Sequence, residues 1–170
     1  MKIQLKQSVA RDKIGRSVEI SKILKHLDNI ENKLLTIKGI PGMYKIDLVE
    51  LIAQHVNQRN NFRNGVIKIR VGANYKTRSI LNKMEEILIQ NGLIIVGEPD
   101  DETQDDFKII KKRLINAMKK LNILIVLINV NYIIIKEGDA IFKEFLENVL
   151  TNCPEVKFLM TSGQNLGNVY

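Results

Sequence analysis

Tryptophan is missing from this sequence, cysteine occurs once, proline three times, and aromatic residues make up only 5% of it. Each shortage closes off a class of function. A single cysteine, Cys153, rules out an intramolecular disulfide and is compatible with a reducing compartment. Cys153, His26 and His55 lie far apart and show none of the spacing of a structural zinc site, so no metal site is expected. Both histidines fall within predicted helices, where no catalytic role is expected for them. Sparse aromatics leave no platform on which bases would stack, so nucleic-acid binding is a secondary reading. The longest apolar run, Ile123 to Ile128, is far too short to span a bilayer. There is no secretory signal, internal repeat or low-complexity segment. The opening stretch MKIQLKQSVAR is basic and free of acids. Residues 1–10 read as an N-terminal arm, with a mitochondrial presequence as the alternative.

What is present describes one globular domain. The chain has 170 residues, 45% apolar and 26% charged, enough for a sizeable core. A net charge of +7 and a pI near 9.5 favour an acidic partner: an acidic protein or filament, nucleic acid, or an anionic lipid surface. The basic residues are spread along the chain. Their densest group is Lys111, Lys112, Arg113, Lys119 and Lys120, on one predicted helix. That group reads either as a solvated face or as a docking face for an acidic partner.

Helix and strand patterns alternate, which argues for α/β architecture around a parallel sheet. Helical spacing is found over Ser17–Leu27, Asp47–Gln58, Thr77–Asn91, Phe107–Leu121 and Gly138–Leu150. Ser17 is a candidate N-cap, and Gly92 a natural C-terminal stop. Strand patterns occupy Lys33–Lys38, Gly65–Val71, Ile123–Ile128 and Lys157–Thr161. Ile123–Ile128 is apolar throughout, as a strand buried on both faces requires. Glu98–Asp106 holds six acids in nine residues without the spacing or glycine of a calcium loop, so it reads as a solvated loop opening the next helix.

The most informative stretch is Leu34–Leu48, LLTIKGIPGMYKIDL. A strand pattern runs into Gly39-Ile-Pro-Gly42-Met-Tyr44-Lys45, and a helix follows. The phosphate-binding motif G-x-x-x-x-G-K-[ST] needs a glycine just before its lysine and a hydroxyl just after it. Here those positions hold Tyr44 and Ile46.

With this loop in place, the chain resembles the nucleotide-binding domain of the STAND class of P-loop ATPases, of the NB-ARC type. Ile14-Gly15-Arg16-Ser-Val-Glu19 resembles the block beside the adenine, and Leu34–Leu48 the Walker A block. Leu124 to Asn131 resembles the Walker B strand, and Asn152 to Gly163 the sensor strand. Phe62–Ile69 fits the second strand. The resemblance covers about residues 11–167 and implies a three-layer α/β/α fold, P-loop NTPase-like. Its parallel sheet would carry strands in the order 1-4-3-2, with strand 5 missing or replaced. The domain would span residues 11–170, with lid and winged-helix subdomains absent. Without strand 5 the first strand would expose an edge, unless Lys2–Lys6 folds back to fill it.

The same comparison implies lost chemistry. Tyr44 stands at the final loop glycine and Ile46 at the magnesium-binding hydroxyl. Ile128 stands at the Walker B acid, Asn131 at a following acid, and Gly163 at the sensor arginine. Asp47 puts a carboxylate where a phosphate would meet the helix N-terminus. The expectation is a non-catalytic, intracellular and mainly cytoplasmic interaction module within a larger assembly, without catalytic residues and without a cofactor. It would use the open edge or the lysine-rich helix. The alternatives are a switch that holds ATP or ADP without magnesium, through Gly15, Arg16, Gly39, Gly42 and Lys45, and a basic nucleic-acid-binding domain.

Overall fold

The computed structural model describes residues 2–3, 16–40, 42–95, 106–133 and 140–163. Their elements are α1 (Ser17–Asp28), β1 (Leu34–Lys38), α2 (Lys45–Gln58), β2 (Val66–Arg70), α3 (Thr77–Gln90), α4 (Asp106–Met118), β3 (Ile123–Ile128), α5 (Ala140–Asn152) and β4 (Val156–Ser162). Every strand pairing is parallel, and the order is β1-β4-β3-β2.

The layers follow from the period of two along each strand. Ile123, Ile125 and Leu127 of β3 point into an apolar cluster with Leu81 of α3, Leu114 of α4 and Phe142 of α5. Their neighbours Leu124, Val126 and Ile128 point the other way, into a cluster with Leu27 of α1 and Ile52 of α2. The sheet is therefore covered on both faces, which is why β3 can be apolar at every position. Register keeps the contacts matched: Ile67 lies opposite Ile125, which lies opposite Phe158.

The sequence boundaries shift by at most three residues, and those of Ile123–Ile128 not at all. Ser17 is not the N-cap of α1. That place belongs to Arg16, whose φ of −113° and ψ of 21° lie outside the helix, so Ser17 is already helical. Gly92 does stop α3, with φ at +64°. Of the acidic stretch, residues 98–105 lie outside the described residues, as do Gly15 and most of the N-terminal arm. Residues 2–3 do not line β1. Ile3 bridges in parallel to Gly65, beside β2, at the opposite end of the sheet. The approach is close enough that a Cβ on Gly65 would sit 2.4 Å from the Ile3 carbonyl oxygen. Among the described residues, β1 pairs on one side only.

One charge is buried in this framework. Lys157 of β4 is 8% exposed, and its ammonium donates to the Leu27 and Asn29 carbonyls, each at 2.6 Å. Carbonyls at a helix C-terminus lack intrahelical partners, so the lysine both satisfies them and ties α1 to the sheet. Burial strips water from the ammonium and lowers its pKa, with nearby Asp28 acting in the opposite direction.

Candidate functional site

Parallel pairing brings the C-terminal ends of all four strands to one edge, where α/β sheets form their ligand crevices. The loop after β1 lies there. Gly42 takes a φ of +87° and Tyr44 a φ of 50°, both left-handed, with Met43 between them. Glycine adopts this conformation freely, whereas tyrosine does so at a cost of about 1–2 kcal/mol. The loop thus keeps a left-handed turn at the position of the motif's last glycine, and a bulky ring occupies it. That residue is 61% exposed.

The loop lysine is turned inward. Lys45 Nζ donates to the carbonyls of Gly39 at 2.5 Å and Ile40 at 2.6 Å, within its own loop. In a working phosphate loop this ammonium faces the ligand oxygens. Arg16, at the start of α1, donates from its guanidinium to the Met43 carbonyl at 3.0 Å and closes the loop against α1. Of the proposed nucleotide-contacting residues, the fold therefore gathers Arg16, Gly39, Gly42 and Lys45 around one loop. Gly15 is outside the described residues. Asp47 lies in the first turn of α2, as expected.

The two positions that would supply magnesium ligands do not fit the ion. Ile128, the last residue of β3, is fully buried in the cluster beneath α1 and α2. Ile46 packs against that same cluster. Neither offers an oxygen, and both contribute to the core. Local hydrogen bonds join the segments that follow β3 and β4. The Asn129 amide donates to Thr161 Oγ1 at 2.9 Å, and the Gly163 amide donates to Asn131 Oδ1 at 3.1 Å. Asn129 takes a left-handed φ of +66°, which asparagine tolerates better than most residues. The parts played by Asn129 and Thr161 were not read from the sequence. An asparagine directly after a buried strand was the available signal.

The lysine-rich helix is not one free surface. Lys111 is paired with Glu144 of α5, and Arg113 lies 2.7 Å from Glu85 of α3. These two cations bind α4 to its neighbours. Lys119 donates to Asn116 at 3.2 Å, while Lys112 and Lys120 are exposed.

No family model matches the sequence, and no curated protein matches it. Solved structures do. The Walker-type ATPase PABY2304 of Pyrococcus abyssi aligns over 96% of this chain and 49% of its own, at a TM-score of 0.57 and 15% identity. The fold is that of a P-loop NTPase. C. elegans PCH-2 aligns over 94% of this chain and 41% of its own, at a TM-score of 0.55 and 13% identity. The chain thus spans half or less of the length of either protein. Identities this low establish shared architecture and leave the chemistry to the residues at the site.

Proposed function

We propose that this chain is a non-catalytic interaction module, a subunit of a larger assembly, built on a P-loop fold of STAND or NB-ARC type. One observation carries the reading: at the two magnesium-ligand positions, Ile128 is buried in an apolar cluster and Ile46 packs, partly buried, against that same cluster. Replacing one polar ligand could be drift at a tolerant position. Filling both with packed isoleucines makes the former metal site part of the core, where a divalent cation would have no oxygen to meet. Tyr44 in the loop and Gly163 at the sensor position support the same conclusion, as does the engagement of Lys45 by its own loop.

The competing reading is a switch that holds ATP or ADP without hydrolysis. It draws support from Arg16 and Lys45, which still flank the loop. Thermal unfolding separates the two. A ligand that binds the folded state must raise the melting temperature by mass action. The interaction-module reading expects no shift with ATP, ADP or Mg·ATP at millimolar concentration. A rise of several degrees that disappears in Lys45→Ala would replace it with the switch.

A further inference from the structure

The two edges of the sheet are finished differently. At the β2 edge, Ile3 bridges to Gly65, and Lys68 and Arg70 pair with Glu50 of α2. Another strand approaching there would meet chain and charge. At the other edge, β1 pairs only with β4 among the described residues. From Leu34 to Ile37 it carries no charge and no proline. Those four residues are half-buried, whereas β3 and β4 are buried at every position. Leu34 packs against the cluster of α3, α4 and α5, and Leu35 and Ile37 against that of α1 and α2. Apolar surface is thus left part-covered on both faces of an edge strand, and such an edge is a template for a further strand.

One bond fixes which backbone groups face outward. The Phe158 amide donates to the Lys33 carbonyl at 2.7 Å, so Lys33, and with it Leu35 and Ile37, turns its backbone groups toward β4. Leu34 and Thr36 turn theirs to the open edge. The Thr36 hydroxyl is also buried without a hydrogen-bond partner among the described residues, although buried polar groups are normally satisfied. These features suit a second copy of the same strand. In an antiparallel pair about a two-fold axis at Thr36, Thr36 faces Thr36, and the two exchange amide-to-carbonyl bonds. Facing threonines can also join their hydroxyls. Leu35 then lies opposite Ile37, apolar to apolar, and Leu34 opposite Lys38, so no lysine faces a lysine. An acidic strand would find no cation between Leu34 and Ile37 to pair with.

We propose that the β1 edge is a homodimer contact, in which β1 of two copies pairs antiparallel about Thr36 and joins two four-stranded sheets into one. Such a dimer gives the interaction-module reading a partner and stands without it, since the Mg·ATP thermal shift tests that reading and the oligomeric state tests the dimer. Sedimentation equilibrium of the full chain should give twice the monomer mass at a concentration on the order of 100 μM, and less on dilution. Added salt should strengthen association, because it screens two copies that each carry a charge of +7. Thr36→Pro removes an amide that faces outward, so β1 keeps its bonds to β4. It should weaken the dimer at least about tenfold, one bond being lost from each copy. If Thr36→Pro fails to fold, Thr36→Lys sets two lysines face to face and should weaken the dimer by as much. In deuterium exchange, the Thr36 amide should be protected at high concentration and lose that protection on dilution. A monomer at every concentration would overturn the proposal, leaving the edge to residues 164–170 or to another protein. So would a dimer that neither substitution weakens, which would place the contact elsewhere.

Discussion

Tyr44 holds a left-handed backbone conformation that glycine adopts freely and a tyrosine adopts at a cost. The left-handed turn persists because Gly42 and the start of α2 fix the chain on either side of it. The strain is local and should be recoverable. Tyr44→Gly is expected to raise stability by about 1 kcal/mol, since relief of the left-handed strain exceeds the extra freedom glycine gives the unfolded chain. A urea denaturation midpoint above the parent's would show it, and an unchanged or lower midpoint would contradict it. Lys157 is the second residue of this kind. Its folded pKa lies below the ordinary lysine value of 10.5, chiefly through burial. Between the two values the unfolded chain binds more protons, so stability should rise with pH through that alkaline window and stay level beneath it. Lys157→Met should abolish this rise. It should also cost about 1–3 kcal/mol, because the Leu27 and Asn29 carbonyls lose their donor. Parallel urea titrations of parent and variant across alkaline pH test both effects.

Among the elements, the strands were readily legible. The apolar run Ile123–Ile128 could only be a doubly buried strand, and it is. The helix faces were equally readable, because apolar residues at helical spacing have one face to bury. Pairing across elements was not legible. Lys111 and Arg113 looked like members of a solvated cluster until α5 and α3 brought Glu144 and Glu85 against them. No local pattern encodes a partner some thirty residues away. The same limit hid the depth of Ile128, whose burial depends on helices α1 and α2 covering the end of β3. This yields a prediction at the element scale. Ile128→Asp places a carboxylate in an apolar cluster. It should cost on the order of 3 kcal/mol or more, read from chemical denaturation. Near-parental stability would mean that water reaches that end of β3 and that the magnesium position is not closed.

For the whole molecule, Cys153 reports on the cohesion of the far layer. Its thiol is fully buried and contacts the Ile115 carbonyl at 3.6 Å. Burial raises the thiol pKa, while Lys119 and Lys33 act to lower it. Both inaccessibility and the scarcity of thiolate oppose reaction. Alkylation of the native protein should therefore proceed only through opening of the fold. It should be far slower than in denaturant, and mass spectrometry over time would follow it. Rapid native labelling would show that the layer of α4 and α5 opens locally. The sequence by itself determined the three-layer plan, the strand order implied by its resemblance, and which residues stand at 44, 46, 128 and 163. These are properties of residue type and spacing, and spacing alone decides which face a side chain takes. Only the tertiary structure decided that Lys45 turns onto its own loop and that Ile46 and Ile128 share one cluster. It also decided that Ile3 pairs beside β2. Those facts depend on which distant segments meet, and that is settled by packing the two faces of the sheet at once.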